Sequence, residues 1–152
     1  MKDSQNGEAF IRKKALYFLA RREYAYLELF NKLKNYVNDE NSINSVLKEL
    51  TSLGYLSDER YIKAFVSSKN KKYGIQKLRL ELNQKTGDPK LVNQVLSIVE
   101  NDEFFNAKEL WQKKFGTIAK DKVQLAKQVR YLLSKGFSYS TINQILRFET
   151  ED

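Results

Sequence analysis

Ile43-Asn44-Ser45-Val46-Leu47, Val92-Asn93-Gln94-Val95-Leu96 and Ile142-Asn143-Gln144-Ile145-Leu146 are three versions of one phrase, with starts 49 and 50 residues apart. A period of that size marks a stacked supersecondary unit, because a single unit cannot bury its own apolar face. In the first copy Ile43, Val46, Leu47 and Leu50 fall at i, i+3, i+4 and i+7, the stripe of a half-buried helix. Leu33, Leu82 and Leu132 each precede their phrase by ten residues, so a second helix keeps register with the first. The sequence therefore predicts an all-α fold. Three tandem three-helix repeats form an elongated, curved stack, right-handed or similar. We place an N-terminal arm or helix start at 1–14 and the units at 15–57, 58–101 and 102–152.

Local signals divide each unit. In the first, a helix from Ala15 to about Tyr24 precedes one through Leu29, Leu33 and Tyr36. Asn38-Asp39-Glu40-Asn41 then offers caps for a third helix, which Gly54 stops by taking a left-handed conformation. Ser57-Asp58-Glu59 opens the second unit with a capping serine and two acids on the positive end of the helix dipole. Its first helix should reach about Lys72, and its second should run through Leu78 and Leu82 to Lys85. Gly87-Asp88-Pro89 ends that helix and starts the next, with proline where its missing N–H is harmless. The third unit starts near Asp102 with Phe104, Ala107, Trp111 and Phe115 on one stripe, and Ser138 caps a last helix ending near Phe148. From Phe115 to Ile142 is 27 residues, against 19 for Tyr24 to Ile43 and for Tyr73 to Val92. The extra length falls in Thr117–Val123, in the loop or at the front of the second helix.

The bulk composition narrows the function. The net charge is +8, which favours polyanionic partners, nucleic acid first. Residues 15–57 balance five bases with five acids, whereas residues 58–99 hold nine bases against four acids. The excess is a patch in the middle unit. The chain contains no histidine and no cysteine, which removes the commonest general base, the usual nucleophile pairs and the usual zinc ligands. No glycine-rich phosphate loop occurs, and acidic pairs such as Asp39-Glu40 and Asp102-Glu103 sit at helix starts, where capping accounts for them. No apolar run approaches the roughly 20 residues of a membrane span. We expect a monomeric, cytoplasmic binding protein, with no catalytic residues, cofactor, metal or membrane partner.

Binding candidates recur at the ends of the first helices. Arg21-Arg22-Glu23-Tyr24, Asn70-Lys71-Lys72-Tyr73 and Gln112-Lys113-Lys114-Phe115 each place a base two residues before an aromatic. Two residues turn a helix by about 200°, so an inward aromatic sends that base outward. Lys69, Lys71, Lys72, Lys77 and Arg79 add a cluster with no acid between Glu59 and Glu81. The candidate contacts for a polyanionic partner are Arg21, Arg22, Lys69, Lys71, Lys72, Lys77, Arg79, Lys113 and Lys114. The tyrosines could stack on bases, but most fall on apolar stripes and read as structural.

Phe18-Leu19-Ala20-Arg21-Arg22-Glu23-Tyr24, Leu53-Gly54-Tyr55-Leu56-Ser57-Asp58-Glu59-Arg60-Tyr61, Tyr73-Gly74, Lys114-Phe115-Gly116 and the Gly136-Phe137-Ser138-Tyr139 stretch together resemble the bacterial regulatory family RecX. The likeness runs in order from about Ala15 to Arg147, with Ser57 in place of a frequent acid and Ala25-Tyr26 in place of a more polar pair. The resemblance implies three-helix repeats that modulate the RecA recombinase in recombination and repair. It implies binding in the groove of RecA filaments on single-stranded DNA, a limit on filament growth, ATP hydrolysis and strand exchange, and direct DNA contact. Two other readings stay open: a general DNA-binding architectural protein gripping phosphates through the middle unit, and a helical-repeat adaptor.

Overall fold

Each copy of the repeated phrase begins at the fourth residue of a helix, and its first two apolar positions are buried in all three units. The computed structural model describes the backbone of residues 4–150 and the side chains of 7–147. The ends of the arm and of the third unit, 1–3 and 151–152, lie outside the described residues. Among these there are nine α-helices and no strand. The first unit holds α1 (Ser4–Leu19), α2 (Tyr26–Leu33) and α3 (Glu40–Ser52). The second holds α4 (Asp58–Lys69), α5 (Ile75–Thr86) and α6 (Pro89–Val99). A 3-10 turn (Glu100–Asp102) leads into α7 (Glu103–Lys114), α8 (Lys122–Ser134) and α9 (Tyr139–Thr150).

The caps work as the residue types require. Asp39 accepts from the Ser42 N–H, Ser57 from Arg60, Asp88 from Leu91 and Ser138 from Thr141. Pro89 is the first residue of α6. Several boundaries differ from the sequence reading. The first helix starts at Ser4 and ends at Leu19, short of Tyr24, and carries Ile11, Ala15 and Phe18 into the first core. The second helix stops at Leu33 and the fourth at Lys69, because the chain turns at 34–36 and again before Gly74 to bring the next helix back. The extra length of the third unit is shared. α8 starts three residues further ahead of Leu132 than α5 does ahead of Leu82, and the loop 115–121 takes the rest.

Three apolar clusters, one per unit, replace a common core. Trp111 is fully buried in the third, where its indole N–H donates to Gln128 Oε1 at 3.3 Å. Gln128 in turn donates to the Thr117 carbonyl at 2.9 Å and so ties down the lengthened loop. The asparagine of the phrase also has a task in two units. Asn44 Oδ1 accepts from the Tyr26 hydroxyl at 2.7 Å, and Asn93 Oδ1 accepts from Arg79 Nε at 3.0 Å. Each bond fastens a second helix to a third. The accessible surface is 9864 Å², against about 8,000 Å² for a compact chain of this mass. The larger area accords with three separate interiors in place of one.

The units join at two seams. Between the first and second, α2 meets α5, Ala25 enters the second cluster, and the Tyr26 N–H donates to Asp58 Oδ1 at 2.7 Å. Burial raises the Asp58 carboxyl above its ordinary value, against the pull of that hydrogen bond, and Asp88 adds to the rise. A raised carboxyl stabilises the fold most below its unfolded value, and that stability is lost as pH rises through the folded one. Asp58→Asn keeps an oxygen for Tyr26 and removes the titration. Urea unfolding at neutral pH and near about pH 4 should show the parent gaining on the variant as pH falls. Parallel pH dependence in the two proteins would show that burial does not perturb Asp58.

Candidate nucleic-acid interface

The second seam, between units two and three, brings bases and rings together. Gly74 donates its N–H to the Lys135 carbonyl at 2.7 Å. The two segments can come this close only because side chains are missing: a Cβ on Gly74 would lie 2.4 Å from the Gly136 carbonyl carbon and oxygen. Tyr73, the last residue before that contact, is thereby set beside Lys135 at the end of α8. Lys77, one turn into α5, reaches back so that its Nζ lies 4.4 Å from the centre of the Tyr73 ring, and Lys135 Nζ lies 5.5 Å from the same centre. Lys135 is also 5.6 Å from the Tyr131 ring, which Lys114 approaches to 5.4 Å. Phe115 backs Tyr131 edge-on at 5.4 Å. The result is an alternating row: Lys77, Tyr73, Lys135, Tyr131, Lys114.

No carboxylate among the described residues lies within ion-pair distance of these three ammoniums. Ring contacts at a wet surface offset their crowding by only about 0.5–1 kcal/mol each. Like charges gathered without counter-charges raise the local positive potential and favour an anion with several charges in a row. A single phosphate could meet one or two of these groups, and a phosphodiester chain could meet all three.

The other bases proposed from the sequence separate into two groups. Lys71, Lys72 and Lys113 are exposed and have no ion pair among the described residues; only Lys113 lies on a helix, because α4 ends at Lys69 and the chain turns before Tyr73. Arg22 is exposed as well, but it is occupied. Its guanidinium stacks 3.6 Å from the Tyr24 ring centre and forks onto both Glu28 oxygens at 3.1 Å. Lys69 is drawn 3.6 Å from Glu81, and Arg79 is spent on Asn93. Arg21 lies 4.8 Å from the Tyr17 ring. Between units one and two, Arg22, Glu28, Tyr61, Lys69, Glu81 and Lys85 line a groove of mixed charge, where burial pushes the Tyr61 hydroxyl up to about 12. The sequence reading passed over Lys135. Its only local sign is a base next to a helix-ending glycine, and its partner Tyr73 is far away in the chain. No group of residues that could hold a metal occurs among the described residues, and no helix there is long and apolar enough to cross a membrane.

These features define a helical-repeat protein whose second seam suits a polyanion. The model for the third three-helix domain of RecX matches residues 101–146. The regulatory protein RecX of Chromobacterium violaceum is 34% identical over 142 residues, which is 93% of this chain and 92% of that one. The regulatory protein RecX of Leptothrix cholodnii is 33% identical over 95% of this chain and 92% of its own. The crystal structure of RecX from Lactobacillus salivarius superposes with a TM-score of 0.85 over 97% of this chain and 99% of that chain, at 19% identity, so it speaks for the fold. The chain belongs to the RecX family.

Proposed function

We propose that this protein binds RecA filaments on single-stranded DNA and restrains RecA's ATPase and strand exchange by occupancy alone. The observation that carries the reading is kinship with proteins named regulatory protein RecX across nine-tenths of the chain. The shape supports it: a row of units with a cationic seam suits a long anionic groove. The test is RecA's DNA-dependent ATPase with the protein at substoichiometric and equimolar ratios, together with co-sedimentation on filaments, at two salt concentrations. A fall in turnover with co-sedimentation is expected. Unchanged turnover and no association would remove the reading.

The uncompensated lysines at the second seam favour a second reading, direct DNA binding through phosphates without RecA. Replacing Lys77, Lys114 and Lys135 together by glutamine should flatten the dependence of log affinity on log salt by about 2 units for single strands, roughly 0.7 per lost contact. A control with Lys48, Lys90 and Lys122 changed to glutamine carries the same charge loss. Equal flattening in both proteins would reduce the seam to its share of the net charge.

A further inference from the structure

Residues 15–57 are neutral in sum, yet their carboxylates are all engaged. Glu23 pairs with Arg60 at 3.1 Å, Glu28 with Arg22 at 3.1 Å, Glu40 with Lys34 at 2.9 Å and Glu49 with Arg12 at 2.7 Å, while Asp39 caps α3. Lys14, Arg21 and Lys32 are left with no carboxylate partner among the described residues. All three rest on rings instead. Lys14 Nζ is 4.6 Å from the Tyr36 centre, Arg21 Cζ is 4.8 Å from that of Tyr17, and Lys32 Nζ is 4.6 Å from that of Phe18. Phe18 is the hub, 5.6 Å from Tyr17 and 6.1 Å from Tyr36. Phe18 is buried, but Tyr17 is 52% exposed and Tyr36 49%. Two half-exposed rings are thus anchored on a buried one and flanked by three unneutralised cations.

We infer that this corner of the first unit is a stacking platform for the unpaired bases of single-stranded nucleic acid. Tyr17 and Tyr36 supply ring faces, and Lys14, Arg21 and Lys32 meet the adjoining phosphates. The inference deepens the nucleic-acid part of the proposed function and rests on it for the presence of a strand. A duplex keeps its base faces stacked and could use only the cations. An acidic peptide would likewise leave the rings unused. Only an unpaired strand uses both, because each base carries a π-face and each linkage a charge. The cations lie over the rings weakly and on long stems, so they can swing to phosphate when a base takes the face. Glu23 and Glu28, the acids nearest to Arg21 and Lys32 in sequence, are taken up by Arg60 and by Arg22.

The test uses the whole protein without RecA, so its failure is separate from failure of the ATPase experiment. A fluorescent oligothymidylate, an abasic strand of equal length and a duplex are titrated in turn, and a strand carrying 2-aminopurine reports stacking directly. The unaltered protein should prefer the base-bearing single strand to the abasic one and should change the 2-aminopurine emission. Tyr17→Leu with Tyr36→Leu should lose roughly tenfold or more in affinity per ring for that strand, and the phenylalanine pair should retain it. The leucine pair should bind the abasic strand as before. Equal binding of abasic and base-bearing strands by the unaltered protein would overturn the inference without recourse to any variant. So would a leucine pair that folds, by circular dichroism, and binds like the parent.

Discussion

Alanine at Gly136 is expected to destabilise the protein by about 2–5 kcal/mol, combining left-handed strain of about 1–2 with overpacking of about 1–3. Gly136 ends α8 at φ +93°, a region that side chains rarely occupy. A Cβ there would also lie 2.3 Å from Lys77 Cβ and 2.9 Å from the Lys77 backbone nitrogen, so the second unit itself would have to move. Gly54 separates the two effects. It has a similar φ of +86° with nothing within 4 Å of a built Cβ, so Gly54→Ala should show the conformational penalty alone. Urea midpoints of the two variants, measured by far-UV circular dichroism, give the comparison. Equal losses would mean that the seam between units two and three is not the tight contact described above. If the contact is real, Gly136→Ala should also disperse the row of lysines, and its salt dependence on DNA should approach that of the triple glutamine variant.

The second large effect is at Trp111. Truncation to alanine should remove about 3–5 kcal/mol, the usual range for a buried large aromatic. The side chain is completely buried, and its loss also leaves Gln128 without the indole donor while Gln128 still holds the Thr117 carbonyl. Gln128→Leu isolates the polar part. It leaves the indole N–H and the Thr117 carbonyl unsatisfied and should cost about 1–3 kcal/mol, with the loop 115–121 becoming the first site of proteolysis. A Trp111→Ala protein that unfolds at the parent's urea midpoint would deny that the indole organises the third cluster.

The helices were legible wherever chemistry acts over a few residues. Asp39, Ser57, Asp88 with Pro89, and Ser138 mark helix starts because a capping oxygen or a fixed φ needs no distant partner. The phrase itself shows its stripe for the same reason. The early start of α1 was also written in the chain, since Ile11, Ala15 and Phe18 keep helical spacing, but the polar residues around them masked it. The interface was much less legible. Gly74 and Gly136 each read as a local break, and nothing in either stretch says that they touch. Lys135 therefore had no neighbour to make it notable. Over residues 15–57, summed charge hid segregated charge: five acids balance five bases on paper, while pairing draws those acids elsewhere. Arg22 shows the converse, because a rule about helix faces cannot foresee Glu28 on the next helix. Contacts between units depend on where the backbone travels, and the helical periodicities that revealed the units carry no record of that path.

Separate interiors joined at seams have a mechanical consequence. Each bundle of three is stiff, since its own packing resists deformation, whereas a seam can shift without opening an interior. Compliance is therefore concentrated at two hinges, near Tyr26 with Asp58 and near Gly74 with Gly136. A small rotation there would change the twist of the row of units while every interior stays closed.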